Sequence, residues 1–167
     1  MKKISLIGMP GCGKTTIGKI LSKKFDMKFI DSDEYIEKNI ASVKELFEKG
    51  EHYFRDIEEK AVLQILIRNE SFIFAAGGGI VERQENIEAL RKYSKVAFID
   101  RPLKMLIETA DFETRPLLKK GGAKKLGEFY KERYKKYVRA ADIIVKNNAG
   151  LDEAAGKIAM ILNNTNT

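Results

Sequence analysis

Eight residues into the chain the sequence reads GMPGCGKT, Gly8 to Thr15, and no other stretch narrows the possible folds so far. It fits the spacing G-x-x-x-x-G-K-[ST]. Lys3-Ile4-Ser5-Leu6-Ile7 before it is a short β-branched run that stops at glycine, as a buried strand does. After Lys14, residues Ile17, Ile20, Leu21 and Phe25 recur at helical spacing. Strand, glycine loop and helix in that order make a phosphate cradle. Gly8, Gly11 and Gly13 let the backbone turn with successive N–H groups facing inward. The helix start adds its positive end. Lys14 offers a point charge to the β- and γ-phosphates, and the Thr15 hydroxyl offers an oxygen to Mg²⁺. The nucleotide-binding set expected from the motif is Gly11, Cys12, Gly13, Lys14, Thr15 and Thr16. A chance glycine turn is the bland alternative, and it gives no reason for the flanking elements. Cys12 stands where the motif accepts any residue: a small side chain tolerated by the turn is the simpler reading, a thiol activated by nearby charge the sharper one.

The rest of the chain alternates in the same way. Met27 to Ile30 reads as a second strand closing on Asp31-Ser32-Asp33, Phe72 to Ala76 as a third closing on Gly77-Gly78-Gly79. Val96 to Ile99 and Ile143 to Val145 complete a set of five. Between them, Ser42-Val43-Lys44-Glu45 is a capping box that opens a short helix ended by Gly50. Phe54, Ile57, Ala61, Ile65 and Leu66 mark a longer helix from Glu51. Helices are also expected near Glu85 to Arg91, after Pro102 placed in a first turn, over Lys124 to Arg139, and from Asp152. Residues 111–122 (DFETRPLLKKGG) lack periodicity and read as a short mobile lid. The prediction is one α/β domain, a parallel five-stranded sheet with helices on both faces. Ligands of such sheets collect at the carboxyl ends of strands, so GMPGCGKT, Asp31 to Asp33 and Gly77 to Gly79 should meet on one edge.

Composition bounds the partners. At 167 residues the chain is long enough to bury a sizeable core without staples. One cysteine allows no internal disulfide, which suits a reducing compartment. The apolar run near the N-terminus is too short for a signal peptide, and no segment approaches a membrane span. A cytoplasmic, monomeric protein is expected, without membrane or nucleic-acid partners. The net charge of +7 suits a small polyanion as well as it suits nucleic acid, and no basic stretch is interleaved with aromatics. His52, the one histidine, has no triad partner in view.

Beyond the cradle, the order of several motifs resembles the shikimate kinase family over nearly the whole chain. They are Asp31-Ser32-Asp33, GEHYFRDIE at Gly50 to Glu58, the three glycines, RPLL at Arg115 to Leu118, and Arg133 four residues before Tyr137. The resemblance implies a P-loop kinase fold of the nucleoside-monophosphate-kinase type, with ATP and Mg²⁺, and transfer of the γ-phosphoryl group to the 3-hydroxyl of shikimate. It further implies that Asp33 contacts the reacting hydroxyl and that Asp31 lies near Mg²⁺, reaching it through water. Arg55 and Arg133 bind the substrate carboxylate beside Gly77, Gly78 and Gly79, and Glu58 holds Arg55. Arg115 descends from the lid onto the ATP phosphates. The implied catalytic set is therefore Lys14, Asp33 and Arg115.

Elementary chemistry agrees with those roles. Phosphoryl transfer needs positioning and charge neutralisation, paired guanidiniums suit a planar carboxylate, and Arg55 and Glu58 stand at i, i+3 on one helix. Blander readings remain at this level. Asp31 and Asp33 suit a helix cap, and Arg115 suits a solvated loop. Arg133, among Lys131, Lys135 and Lys136, suits a solvated helix face. Two departures from the family stand out: Ala76 replaces a hydroxyl residue before the glycines, and Glu108 to Asp111 lacks an arginine that covers adenine. A gluconate- or nucleotide-type kinase of the same fold is the nearest rival, and an NTP-driven switch or RNA-associated NTPase a more distant one.

Overall fold

The computed structural model describes residues 2–111 and 117–164. Five strands, β1 (Lys3–Ile7), β2 (Lys28–Asp31), β3 (Phe72–Ala75), β4 (Lys95–Asp100) and β5 (Ile143–Lys146), form one parallel sheet in the order β2-β3-β1-β4-β5. The central strands are buried on both faces, as their continuous apolar runs require. Helix α1 (Lys14–Phe25) packs with α8 (Leu151–Asn164), while α4 (Glu51–Leu66), α5 (Gln84–Tyr93) and α7 (Gly122–Ala140) pack among themselves. Three short α-helices, α2 (Ser32–Asn39), α3 (Val43–Glu48) and α6 (Leu103–Glu108), and a turn of 3-10 helix at Ile80–Glu82 complete the elements of the described residues. None of the described helices is long and apolar enough to cross a membrane.

Register settles which loops meet. Leu6 and Asp31 both lie level with Ala75, Ile7 with Phe98, and Asp100 with Lys146. The loops that follow all five strands therefore leave from one edge. Two hydrophobic cores lie beneath them. The larger is built on the sheet. A smaller one, Ile36, Leu46, Phe54 and Ala61, ties α2, α3 and α4 together, and Tyr35 packs against both.

Several boundaries differ from the sequence reading. β2 begins at Lys28, because Met27 is still engaged with Ser22 at the end of α1: its N–H donates to the Ser22 carbonyl at 3.0 Å and its own carbonyl accepts the Ser22 hydroxyl. Pro102 is the cap of α6 and not a residue of its first turn, since its backbone is extended. Helix α7 begins at Gly122, two residues before the expected Lys124. Both Gly121 and Gly122 donate to the Leu118 carbonyl, at 3.1 and 2.8 Å, and Leu118 is buried. Of the expected lid, residues 112–116 lie outside the described residues, Arg115 among them.

The capping box of α3 is complete. Ser42 Oγ accepts from the Glu45 N–H at 3.3 Å, and Glu45 Oε2 accepts from the Ser42 N–H at 3.2 Å. Replacing the hydroxyl leaves a helix-end donor unsatisfied. Ser42→Ala is expected to cost about 1 kcal/mol, read as a lowered midpoint in urea with an unchanged slope.

Candidate active site

The glycine loop takes the turn its sequence demands. Gly13, the cap of α1, has φ +98°, a conformation that side chains rarely adopt, and Leu151 fills the space a Cβ would need. Lys14 is buried with its ammonium gathered into the loop, donating to the carbonyls of Gly8 at 2.8 Å and Met9 at 2.9 Å. One part of the cradle reading is corrected: the Cys12 N–H does not face inward but closes a turn onto the Met9 carbonyl at 3.1 Å. The Cys12 carbonyl accepts from Asn147 Nδ2 at 2.9 Å, and its thiol is fully buried. Sequence gave no reason to connect Asn147, 135 residues away, with this loop.

Two cavities open along the strand-end edge. The larger, about 510 Å³, runs over Gly11, Gly13, Lys14, Thr15, Thr16, Asp31 and Ala76 toward Arg101, Thr109 and Leu151. The smaller, about 320 Å³, is walled by Arg55, Glu58, Arg133, Phe54, Phe129 and the three glycines. Pro10, Asp33, Gly77 and Gly78 line both. All the described candidate residues except Cys12 line one or other cavity.

Asp31 is the cap of α2, the blander of its two readings, and also meets the phosphate loop. One oxygen caps α2, accepting from the N–H groups of Asp33 and Glu34 at 3.0 and 3.4 Å. The other accepts the Thr15 hydroxyl at 2.9 Å. A hydroxyl and a carboxylate on the wall of the larger cavity are hard oxygen donors of the kind Mg²⁺ takes alongside phosphate and water, so the residues fit that ion. Ser32, which sequence reasoning passed over, is fully buried and accepts the Gly77 N–H at 2.8 Å, joining the loops after β2 and β3.

Each of the three glycines faces a different neighbour. A Cβ on Gly77 would stand 3.0 Å from Glu58 Oε1, on Gly78 2.7 Å from Pro10, and on Gly79 within the Arg55 guanidinium. Arg55 is buried and paired, Nη1 with Glu58 at 2.6 Å and Nη2 with Glu51 at 3.3 Å. Burial pushes the Glu58 carboxyl above the usual carboxylate range, and the adjoining Arg55 offsets only part of that. Arg55 Nε and Glu58 Oε1 are buried with no hydrogen-bond partner, so the pair retains one free donor and one free acceptor.

Arg133 is the clearest departure from the bland reading. It is 2% exposed, so the solvated helix face is ruled out. Its guanidinium lies over the Phe129 ring at 3.9 Å, donates to the Gly78 carbonyl at 3.4 Å and is clamped through Nε by Glu82. Glu82 also takes Lys136 at 2.6 Å. Partial burial opposes charge on Glu82, but Lys136 and Arg133 together outweigh it and hold the carboxyl below its usual range. Glu82 carried no sequence signal, because its partners lie 51 and 54 residues away.

This arrangement matches known proteins closely. A family model described as shikimate kinase matches residues 10–163. The chain belongs to the shikimate kinase family. It is 48% identical over 163 residues to a shikimate kinase of Clostridium botulinum (strain Eklund 17B / Type B), covering 97% of this chain and 98% of that one. Among solved structures, a shikimate kinase from Acinetobacter baumannii in complex with shikimate superposes with a TM-score of 0.90 at 30% identity, covering 98% of this chain and 94% of that one. The shikimate kinase of Aquifex aeolicus vf5 gives a TM-score of 0.84 at 31% identity, covering 98% and 97%. The P-loop kinase fold of the shikimate kinase family is thus the fold of this chain.

The Glu82 clamp predicts an acid-side loss of stability. Because the folded carboxyl lies below its ordinary value of 4.5, its contribution is complete above that pH and falls away as pH drops through the lowered folded value. Glu82→Gln strands a buried guanidinium at neutral pH and removes this titration. Melting temperatures of the two proteins, followed from about pH 6 to about pH 3, should therefore differ most at the upper end and converge at the lower.

Proposed function

We propose that this chain is an ATP-dependent shikimate kinase, transferring the γ-phosphoryl group of ATP to the 3-hydroxyl of shikimate and yielding shikimate 3-phosphate for aromatic amino-acid (chorismate) biosynthesis. The observation that carries this reading is the shared wall: Asp33, Pro10, Gly77 and Gly78 line both the phosphate cavity and the cavity that holds two arginines. A phosphoryl group held on Gly11 to Thr16 would end beside whatever the second cavity binds.

The residues divide the work as follows. Loop N–H groups, the α1 N-terminus and Lys14 hold the triphosphate. Thr15, with Asp31 reaching through water, would hold Mg²⁺, which when bound neutralises charge on the β- and γ-phosphates. Arg55 and Arg133 take the shikimate carboxylate, each already braced by its own carboxylate partner. The free donor on Arg55 and free acceptor on Glu58 suit a ligand rich in hydroxyls. Asp33 accepts the hydrogen bond of the attacking hydroxyl and takes its proton. An O–P bond to the acceptor then forms while the bond from the γ-phosphorus to the bridging oxygen breaks and ADP departs. Arg115 adds positive charge to the phosphates on the strength of the family resemblance. The buried free thiol of Cys12 supports a reducing, cytoplasmic setting, and the protein acts as a monomer on ATP and shikimate.

Steady-state transfer from ATP to shikimate, its methyl ester and gluconate tests the reading. Shikimate should be phosphorylated and the ester should lose on the order of 30-fold or more in kcat/KM, since an ester strands two guanidiniums. Equal rates for acid and ester would remove both arginines from their roles. Asp33→Asn keeps size but not charge and should lower kcat by about 10²-fold or more while ATP affinity by calorimetry holds. A near-normal kcat would reduce Asp33 to a structural residue.

A further inference from the structure

One side chain outside the walls of both cavities holds the phosphate loop from within the protein. Asn147 directly follows β5 and is 1% exposed. Its own N–H donates to the Asp100 carbonyl at 2.8 Å, which carries the β4–β5 ladder one residue further and seats Asn147 on the sheet. From there its side chain reaches the loop after β1, where Nδ2 donates to the Cys12 carbonyl at 2.9 Å.

The peptide held in this way is the one that joins Cys12 to Gly13. It is trans, and in a trans peptide the C=O and N–H point to opposite sides. With the Cys12 carbonyl turned inward onto a buried amide, the Gly13 N–H faces away from Asn147. Gly13 lines the larger cavity, and its N–H has no hydrogen-bond partner among the described residues. The hold answers a weakness of the loop. Gly13 stands at φ +98°, and glycine takes either sign of φ with similar ease, so nothing local stops this peptide plane from rotating. Cys12 is fixed on both sides as a result, its N–H on Met9 and its carbonyl on Asn147. The first contact withdraws one backbone donor from the cavity, and the second directs the next.

We propose that Asn147 is a positioning residue for the nucleotide phosphates: by fixing the Cys12 carbonyl it aims the Gly13 N–H at a phosphate oxygen in the larger cavity. The proposal rests on the nucleotide site assigned above. Asn147 acts through a backbone donor on phosphate, so it serves any polyphosphate equally and takes no part in reading the base.

Calorimetric binding of Mg²⁺–ATP and of Mg²⁺–tripolyphosphate, which has no base, tests this in wild type, Asn147→Leu and Asn147→Ala. The amide shift of Gly13 is followed in the same proteins, and melting and shikimate binding are measured beside it. Leucine keeps most of the buried volume without the donor. In wild type the Gly13 amide proton should move downfield on adding Mg²⁺–tripolyphosphate, as an N–H does on meeting an anionic acceptor. Both variants should lose that shift and bind ATP and tripolyphosphate about ten-fold more weakly, by one common factor, while shikimate affinity holds. A wild-type Gly13 amide indifferent to tripolyphosphate would overturn the proposal. So would variants that keep the shift or the affinity, a loss confined to ATP, or an equal loss for shikimate, which would reduce Asn147 to a general support of the fold. Failure of the wild-type protein to bind either polyphosphate would instead overturn the nucleotide site itself.

Discussion

The contact between Pro10 and Gly78 governs the distance between the two halves of the site. Pro10 belongs to the phosphate loop, and its ring sits where Gly78 would carry a side chain. On its other side the Gly78 carbonyl accepts from both the Tyr137 hydroxyl and Arg133. The strand-end crossing is thus pressed onto the phosphate loop and tied to α7 at the same residue. Any side chain at Gly78 would push the arginine cavity away from the phosphate cavity, and in-line transfer tolerates little such displacement.

Charge in the smaller cavity is arranged at some cost to stability. Glu58 is kept within a site that disfavours its ionised form, and Arg55 beside it leaves one polar atom of each residue unsatisfied. A buried ion pair contributes little net stability and breaks expensively. Its retention makes sense if the unsatisfied atoms are reserved for substrate. Arg133 is treated differently, with Glu82 and Phe129 holding the guanidinium from two directions. One arginine keeps a hydrogen bond in reserve, while the other is fixed in place.

Legibility in the sequence followed the range of the interaction. The phosphate loop, the capping box and the pairing of Arg55 with Glu58 are local, and each could be read within a few residues. The three central strands were legible because parallel strands buried on both faces are continuous apolar runs, whereas the edge strands β2 and β5, half-buried or alternating, were shorter apolar signals. Arg133 was ambiguous, since three lysines around it suggested a solvated face and only the fold turns that position inward. Glu82, Ser32 and Asn147 were silent because their partners are distant in the chain and their residue types are ordinary. Asp31 shows a subtler limit: the cap was legible, but the second oxygen of the same carboxylate, which accepts the Thr15 hydroxyl of the phosphate loop, was not.

The small core of Ile36, Leu46, Phe54 and Ala61 is separate from the sheet core, with Tyr35 packed against both. Its few side chains give α2, α3 and the start of α4 a shallower energy well than the sheet enjoys. Such a unit can open and reclose many times without the sheet unfolding. Amide exchange across residues 32–54 would then be faster than in β1 or β3, and any ligand filling the smaller cavity, which Asp33 and Arg55 both line, would slow it. The architecture thus builds in an occupancy gauge: the rate at which this corner of the protein breathes would report whether the smaller cavity is filled.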